Sequence, residues 1–296
     1  MKTMALLKRV SKLITDLPYL PKVLLPLDKT APWSELNSKN YESSFHFARS
    51  VRSSILPIYA PFREVPHLPY EVPEQGQAIQ DNETWFFLNG ICSDKSVLRL
   101  NGKALADLFQ RKIYLMHNPS DGFILDLLEC AAGRTLQPVS TLEKSVSHIL
   151  EEALNNSSKV VLIAHSQGGI IASFALQKLA MRLSGSRARL LKKLEVYTFA
   201  SAATELDLPQ IYAEHFYHDQ DYVARIGVAG NADHFSGRMF HYPASGHLMN
   251  AHYLKHLAEN KFVSEDGANS RLIDRLQALS HLRDANTTKT RKTVAH

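Results

Sequence analysis

The chain has 296 residues, of which 45% are hydrophobic and 21% are charged, and its net charge is +5. This composition is that of a folded globular protein, which excludes a wholly disordered, collagen-like or coiled-coil chain. No run of about 18 apolar residues occurs, and the two cysteines are too few for a disulfide framework. The sequence therefore predicts no membrane-spanning helix and favours a cytoplasmic location.

The basic charge is concentrated at the two ends of the chain. Residues 1–12 contain four basic side chains and no acidic one, and residues 281–296 contain four basic side chains and one acidic one. The part between them is slightly acidic. A nucleic-acid-binding protein is expected to carry a basic stripe on its fold. We therefore predict that nucleic acid is not a partner.

The first element in the chain is an amphipathic stretch, residues 1–17, with apolar residues roughly on one helical face and basic residues opposite. This pattern is typical of an interfacial membrane helix. We favour a helix packed on the domain and keep weak contact with a membrane surface as the alternative. Charged residues interrupt the apolar ones, which is not the pattern of a secretion signal. Prolines follow, so we expect an extended connection over residues 18–35.

Apolar and aromatic runs typical of buried strands alternate with helical patterns from residue 84 onward. Helices are predicted to begin near Ser93, Ser140 and Gly168. Strands that alternate with helices of such lengths predict a parallel sheet covered by helices on both faces. The predicted strands are residues 84–88, 112–116, 159–164, 194–200, 214–218 and 238–242.

The same patterns divide the chain into three parts. Residues 1–83 are predicted to be an N-terminal extension, partly helical and packed on the domain. Residues 84–284 are predicted to form one domain, within which residues 121–138 are an insertion. Residues 285–296 are polar and basic, which predicts a disordered tail.

A candidate nucleophile lies where the strand at residues 159–164 is followed by a helix. The segment reads Ala164-His165-Ser166-Gln167-Gly168. A G-x-S-x-G sequence at such a junction makes a sharp turn that exposes the serine hydroxyl above the sheet. Here Ala164 stands at the first glycine position, and alanine is small enough for the turn. The segment therefore predicts that Ser166 is a nucleophile.

A serine hydroxyl needs a base to remove its proton, and a carboxylate to orient that base. In the fold that carries this turn, the chain order is serine, then acid, then histidine. Two carboxylates, Asp219 and Asp221, follow the strand at residues 214–218. His247 follows the strand at residues 238–242. The other histidines considered for the base are His252, His234 and His241.

These motifs resemble those of the α/β-hydrolase superfamily, in particular its lipase-like and esterase-like serine hydrolases, over residues 84–260. Asp221-Tyr-Val-Ala-Arg225 is similar to the D-x-V-x-R of lipase-like members, which favours Asp221 over Asp219. Gly246-His247 after the last strand is similar to the position of the base in the family, which favours His247. The resemblance implies the α/β-hydrolase fold, a mostly parallel sheet with helices on both faces.

Ester cleavage also needs hydrogen-bond donors for the oxyanion of the tetrahedral intermediate. One donor is expected to be the backbone N–H of Gln167, the residue after the nucleophile. The resemblance implies that the second donor comes from the loop Asn89-Gly90-Ile91-Cys92. There the backbone N–H of Ile91 is favoured and that of Cys92 is the alternative.

The insertion at residues 121–138 supplies candidate residues for substrate binding. Phe123, Leu127 and Leu128 recur at helical spacing within it. An amphipathic helix at this place is expected either to line or cover an acyl site or to pack on the sheet. The first interpretation makes these three side chains the candidate contacts to a small-molecule or lipid-like ester.

Together these residues predict a serine hydrolase that cleaves carboxylic esters through an acyl-enzyme on Ser166. Motifs for a metal or a nucleotide do not occur in the sequence, so we expect no metal and no cofactor. Acyl transfer and thioester or amide cleavage use the same three side chains and are alternatives within enzymes. A catalytically silent scaffold that binds at a membrane surface is the alternative outside them.

Overall fold

The computed structural model describes residues 15–55, 68–74, 77–89, 95–117 and 139–281. Several predictions concern residues outside these ranges. They are the predictions for residues 1–14, for Gly90, Ile91 and Cys92, for the insertion at residues 121–138 with Phe123, Leu127 and Leu128, and for the tail at residues 285–296.

A single sheet lies at the centre of the described part of the chain. Its strands are β1 (Tyr70–Glu71), β2 (Glu83–Leu88), β3 (Ile113–Met116), β4 (Lys159–His165), β5 (Leu194–Phe199), β6 (Tyr212–His218), β7 (Arg238–Tyr242) and β8 (Val263–Ser264). They are arranged in the order β1-β3-β2-β4-β5-β6-β7-β8. β2 to β7 pair in parallel, and β1 and β8 pair antiparallel at the two edges. The six predicted strands are therefore the six parallel ones.

Helices cover both faces of the sheet. Those in the described ranges are α1 (Ser44–Ile55), α2 (Lys95–Phe109), α3 (Val139–Asn156), α4 (Gly168–Arg182), α5 (Tyr222–Ile226), α6 (Lys255–Ala258) and α7 (residues 271–281). A π-helical segment, Met249–Leu254, leads directly into α6. No helix among these is both long and apolar enough to cross a lipid bilayer.

The core has two layers because alternate residues of each strand point to opposite faces. In β2, Trp85 and Phe87 pack in a cluster with α2 and α7, whereas Phe86 and Leu88 pack in a cluster with α3 and α4. All four side chains are almost completely buried. The predicted class, a mostly parallel sheet between two helical layers, is confirmed.

The prediction of an extended connection over residues 18–35 is wrong at its start, since Leu17–Leu24 forms a 3₁₀-helix. Pro18 lies in the first turn, where its missing N–H is not needed. The φ of proline also suits a 3₁₀-helix. Val23 is buried against Tyr222 and Val223 of α5, which gives the short helix a packed face.

The sheet determines where the candidate site lies. β4 ends at His165, β6 at His218 and β7 at Tyr242. Because these strands are parallel members of one sheet, their carboxyl ends lie at the same edge. The loops that follow them carry Ser166, Asp221 and His247.

Candidate active site

Ser166 occupies a strained turn between β4 and α4. Its φ is +58°, a left-handed value that is uncommon for a residue other than glycine. Two backbone hydrogen bonds to residues at the end of β5 and just after it fix the turn. The Ser166 N–H donates to Phe199 O at 3.0 Å, and Ser166 O accepts from the Ala202 N–H at 3.0 Å. Strain of this kind is typical of functional sites.

Small residues on either side of Ser166 make the turn possible. A Cβ at Gly168 would lie 2.5 Å from the carbonyl oxygen of Leu88 and 2.7 Å from that of Asn89. Only glycine therefore fits at this position without a backbone shift. Ala164, at the other side, is completely buried within β4, so its methyl group is accommodated in the core.

The structure brings Ser166, His247 and Asp221 into one line of hydrogen bonds. His247 Nε2 lies 2.9 Å from Ser166 Oγ, and His247 Nδ1 lies 2.8 Å from Asp221 Oδ2. A carboxylate can only accept, so Nδ1 carries the hydrogen and Nε2 is left to accept from the serine hydroxyl. This tautomer is the one that a general base for Ser166 requires.

Asp221 is completely buried and its carboxylate accepts three hydrogen bonds. Besides His247, the donors are the Val223 N–H to Oδ1 at 3.0 Å and the Tyr253 hydroxyl to Oδ2 at 2.8 Å. Burial alone would raise the pKa of Asp221, but the neighbouring His247 and the bonds from His247 and Tyr253 outweigh it and lower the pKa. Asp221 is therefore an anion beside the imidazole.

The other candidates for the acid and the base contact groups other than Ser166 and His247. Asp219 Oδ1 lies 3.1 Å from His241 Nδ1. His252 Nδ1 accepts from the Leu248 N–H at 3.0 Å, and its Nε2 donates to Pro26 O at 2.8 Å. Both ring nitrogens of His252 are thus engaged away from the serine, and His234 is exposed.

Two supporting residues were not found by sequence reasoning. One is Tyr253, which donates to Asp221 and accepts from the His218 N–H at 3.0 Å. It lies in the π-helical segment, whose spacing an α-helical pattern does not reproduce. The other is His165, which stands inside the nucleophile motif but could not be assigned a partner from the sequence.

His165 contacts His247 directly. The two rings are 4.8 Å apart at their centroids, and His165 Nε2 lies 2.8 Å from the carbonyl oxygen of His247. A carbonyl only accepts, so Nε2 carries the hydrogen. Burial and the neighbouring His247 lower the pKa of His165 to about 3, so it is neutral near pH 7.

Of the expected oxyanion donors, Gln167 lies within the described residues, and Ile91 and Cys92 lie outside them. Gln167 is buried and precedes α4 as its N-cap residue, so its amide belongs to the first turn at the N-terminus of that helix. Asn89, at the end of β2, is also buried. Its carbonyl lies close to Gly168, so the residues at the end of β2 lie beside the nucleophile turn.

In the described ranges no group of three or more histidine, cysteine, aspartate or glutamate side chains could bind a metal ion. What the arrangement at Ser166 offers instead is a hydroxyl, an imidazole and a buried carboxylate in series. These are the groups that activate an alcohol as a nucleophile.

A family of known proteins shares the segment around the nucleophile. Residues 88–206 match the family described as "Putative serine esterase (DUF676)". The matched segment begins at the end of β2 and includes Ser166. The chain has the α/β-hydrolase fold. Within that fold the match supports ester hydrolysis as the general activity.

Several solved structures are similar to this chain. A fungal esterase from Rhizomucor miehei is 12% identical with a TM-score of 0.45, covering 91% of this chain and 95% of its own. A metagenome-derived lipolytic enzyme is 10% identical with a TM-score of 0.41, covering 72% of this chain and 100% of its own. A hormone-sensitive lipase from a metagenome library is 10% identical with a TM-score of 0.41, covering 74% and 88%. No curated protein matches the chain in sequence.

Proposed function

We propose that this chain is a serine esterase that hydrolyses carboxylic esters through an acyl-enzyme on Ser166. The observation that carries the proposal is the pair of contacts at His247, 2.9 Å to Ser166 Oγ and 2.8 Å to Asp221 Oδ2. The left-handed φ of Ser166 supports it further, since strain at a nucleophile turn exposes the hydroxyl to substrate.

The reaction has two steps. In the first, Ser166 Oγ bonds to the ester carbonyl carbon while His247 Nε2 takes the hydroxyl proton. The tetrahedral intermediate then expels the alcohol oxygen, which receives that proton from His247. In the second step, water attacks the acyl-enzyme and gives a proton to His247, and the carboxylic acid leaves as Ser166 regains its hydrogen.

Asp221 has an electrostatic role in both steps. Its carboxylate accepts a hydrogen bond from the Nδ1–H of His247, which keeps Nε2 available to the serine hydroxyl. When His247 becomes an imidazolium, the buried anion 2.8 Å away stabilises the new positive charge. The bonds from Val223 and Tyr253 hold the carboxylate in place, so little reorganisation is needed during the reaction.

The oxyanion is proposed to accept hydrogen bonds from the backbone N–H groups of Gln167 and Ile91. Gln167 follows the nucleophile directly, and the positive end of α4 lies at the same point. The proposed substrate is an ester with an apolar acyl group, which Phe123, Leu127 and Leu128 would contact. Loss of one oxyanion donor typically lowers kcat by about 10²–10³.

The test is covalent labelling with a fluorophosphonate, together with turnover of p-nitrophenyl esters of graded chain length. Ser166→Ala should abolish labelling and lower kcat by up to about 10⁶. Ser173→Ala is the matched control, because Ser173 is a buried serine of α4, the helix that follows Ser166, and its hydroxyl donates to Glu205 O at 2.6 Å. It should keep both activities.

Two outcomes would overturn the proposal. Near-normal esterase activity in Ser166→Ala would end the assignment of the nucleophile. A folded wild-type protein that neither labels nor turns over any ester would favour the silent scaffold.

A further inference from the structure

A segment near the N-terminus contacts both loops that carry the proposed base and acid. We call residues 16–35 the strap, residues 219–225 the acid loop and residues 245–255 the base loop. The acid loop follows β6 and the base loop follows β7, so Asp221 and His247 are supported by separate parts of the chain. Their 2.8 Å contact therefore depends on whatever fixes one loop against the other.

The base loop is bonded to the strap through backbone carbonyl groups. Three strap carbonyls accept hydrogen bonds from it: Val23 O from the His247 N–H at 2.8 Å, Leu25 O from the Ser245 hydroxyl at 3.0 Å, and Pro26 O from His252 Nε2 at 2.8 Å. One of these donors is the amide of the proposed base itself. The strap thus contacts the backbone of His247 directly.

Glu35 places a buried carboxyl group in this contact. Its Oε1 accepts from the Asn250 N–H at 2.8 Å and from Asn101 Nδ2 at 2.7 Å, and its Oε2 accepts from the Ala251 N–H at 3.0 Å. The two amides belong to the first turn of Met249–Leu254, which would otherwise lack partners at a helix start. A local side chain usually supplies such a cap. Here it comes from 215 positions earlier in the chain.

The acid loop is bonded to the strap as well. Lys22 Nζ donates to Gln220 Oε1 at 2.7 Å, and Arg225 Nη2 lies 2.7 Å from Asp16 Oδ1. Arg225 also donates to Asp219 O at 2.9 Å, so it joins the strap to the backbone beside Asp221.

We propose that the strap positions His247 against Asp221 and Ser166, and that Glu35 is a positioning residue of the active site. The inference rests on the proposed function. It follows from the placement of the strap contacts, which reach both loops and include the amide of His247. A displacement of about 1 Å in a catalytic group can lower the rate about 10²-fold. The strap is thus part of what makes the three side chains react together.

The experiment compares Glu35→Ala and Glu35→Gln with the wild type, using kcat, KM and the rate of fluorophosphonate labelling. Glu35→Ala removes all three acceptor contacts, so kcat and the labelling rate should fall about 10–100-fold. KM should change less than about threefold, because the carboxyl group of Glu35 is buried and bonded to Asn101, Asn250 and Ala251. Glu35→Gln keeps one oxygen that accepts from Asn250 and Asn101 but loses the acceptor for Ala251. Its kcat should therefore lie between that of Glu35→Ala and that of the wild type.

Ser270→Ala is the control for a general loss of stability. Ser270 donates to Glu214 Oε2 at 2.6 Å in a buried contact near the start of β6, at the opposite end of the strand from Asp221. Its thermal midpoint should fall while kcat stays within about twofold of the wild type. Activities are compared well below the unfolding midpoint of each variant, with native far-UV circular dichroism.

The outcomes separate the two claims. If the wild type is not labelled, the proposed function fails. If the wild type is labelled and folded Glu35→Ala has wild-type kcat, the positioning inference is wrong and the proposed function stands. If Glu35→Ala does not fold, Glu35→Gln decides: a kcat equal to the wild type, or a loss matched by Ser270→Ala, overturns the inference.

Discussion

His165 Nε2 lies 2.8 Å from the carbonyl oxygen of His247, so the residue before the nucleophile is bonded to the backbone of the proposed base. Ser166 and His247 are therefore tied together twice, through their side chains and through this neighbour. The ring of His165 also packs on that of His247, with centroids 4.8 Å apart. Burial keeps His165 neutral, so it supports the base without competing for its proton.

The first prediction concerns His165. His165→Ala should lower kcat about tenfold and destabilise the fold by about 1–3 kcal/mol, because a buried carbonyl loses its donor. His165→Gln, whose side-chain amide can still donate, should lose less activity and less stability. Steady-state kinetics and chemical denaturation measure the two effects. Equal kcat in His165→Ala and the wild type would show that the bond to His247 is irrelevant to turnover.

The second prediction separates the two carboxylates of the acid loop. Asp221→Asn should lower kcat by about 10³–10⁴, because an amide can donate to His247 Nδ1 and so favours the tautomer that cannot accept from Ser166. Asp219→Asn should stay within about twofold, since Asp219 contacts His241 instead. The measurement is kcat on a short p-nitrophenyl ester. A larger loss in Asp219→Asn would reverse the assignment of the acid.

Local patterns in the sequence account for most of the sheet. The apolar runs that predict β2, β4 and β5 indicate strands that are buried on both faces, as they are in the structure. β1 and β8 have two residues each, which is too short for any period to appear. The sequence pattern also did not predict the 3₁₀-helix at Leu17–Leu24, because prolines that end an α-helix are compatible with this tighter helix.

Some residues of the candidate site can be predicted from the sequence, and others cannot. Ser166, Asp221 and His247 each follow a strand. The motif and the chain order predicted Ser166 but left several candidates for the acid and the base, and the resemblance to α/β-hydrolases favoured Asp221 and His247. The contacts of Glu35, Tyr253 and His165 join residues that are far apart in the chain or lie in a π-helical segment. No local period encodes such contacts, which is why only the three-dimensional structure reveals them.

The third prediction concerns the two small residues of the nucleophile turn. Gly168→Ala should destabilise the fold by about 1–3 kcal/mol or more and lower kcat, because the new Cβ would meet the backbone of Leu88 at 2.5 Å. Ala164→Gly should cost about 0.5–1 kcal/mol, as expected of glycine in a strand, and leave kcat within about twofold. Urea unfolding and ester turnover measure both. Full stability of Gly168→Ala would contradict the close approach of these elements.

The last prediction concerns stability at low pH. His215 is completely buried, with Nδ1 2.8 Å from Thr198 Oγ1 and Nε2 3.1 Å from Ser236 O. Burial lowers the pKa of His215 to about 4, whereas an unfolded histidine titrates near pH 6.5. Between these values the unfolded state binds a proton that the folded state does not, so the free energy of unfolding falls as the pH falls.

His215→Gln should therefore be less sensitive to acid than the wild type. From pH 7.5 to pH 5, the wild type should lose about 2 kcal/mol more of its unfolding free energy than the variant. The difference between the two proteins isolates His215 from Glu35 and Glu214, whose pKa values burial raises and which act in the opposite direction. Urea unfolding at both pH values gives the four free energies. If wild type and variant lose the same amount, His215 is protonated in the folded state and its burial contributes nothing to acid sensitivity.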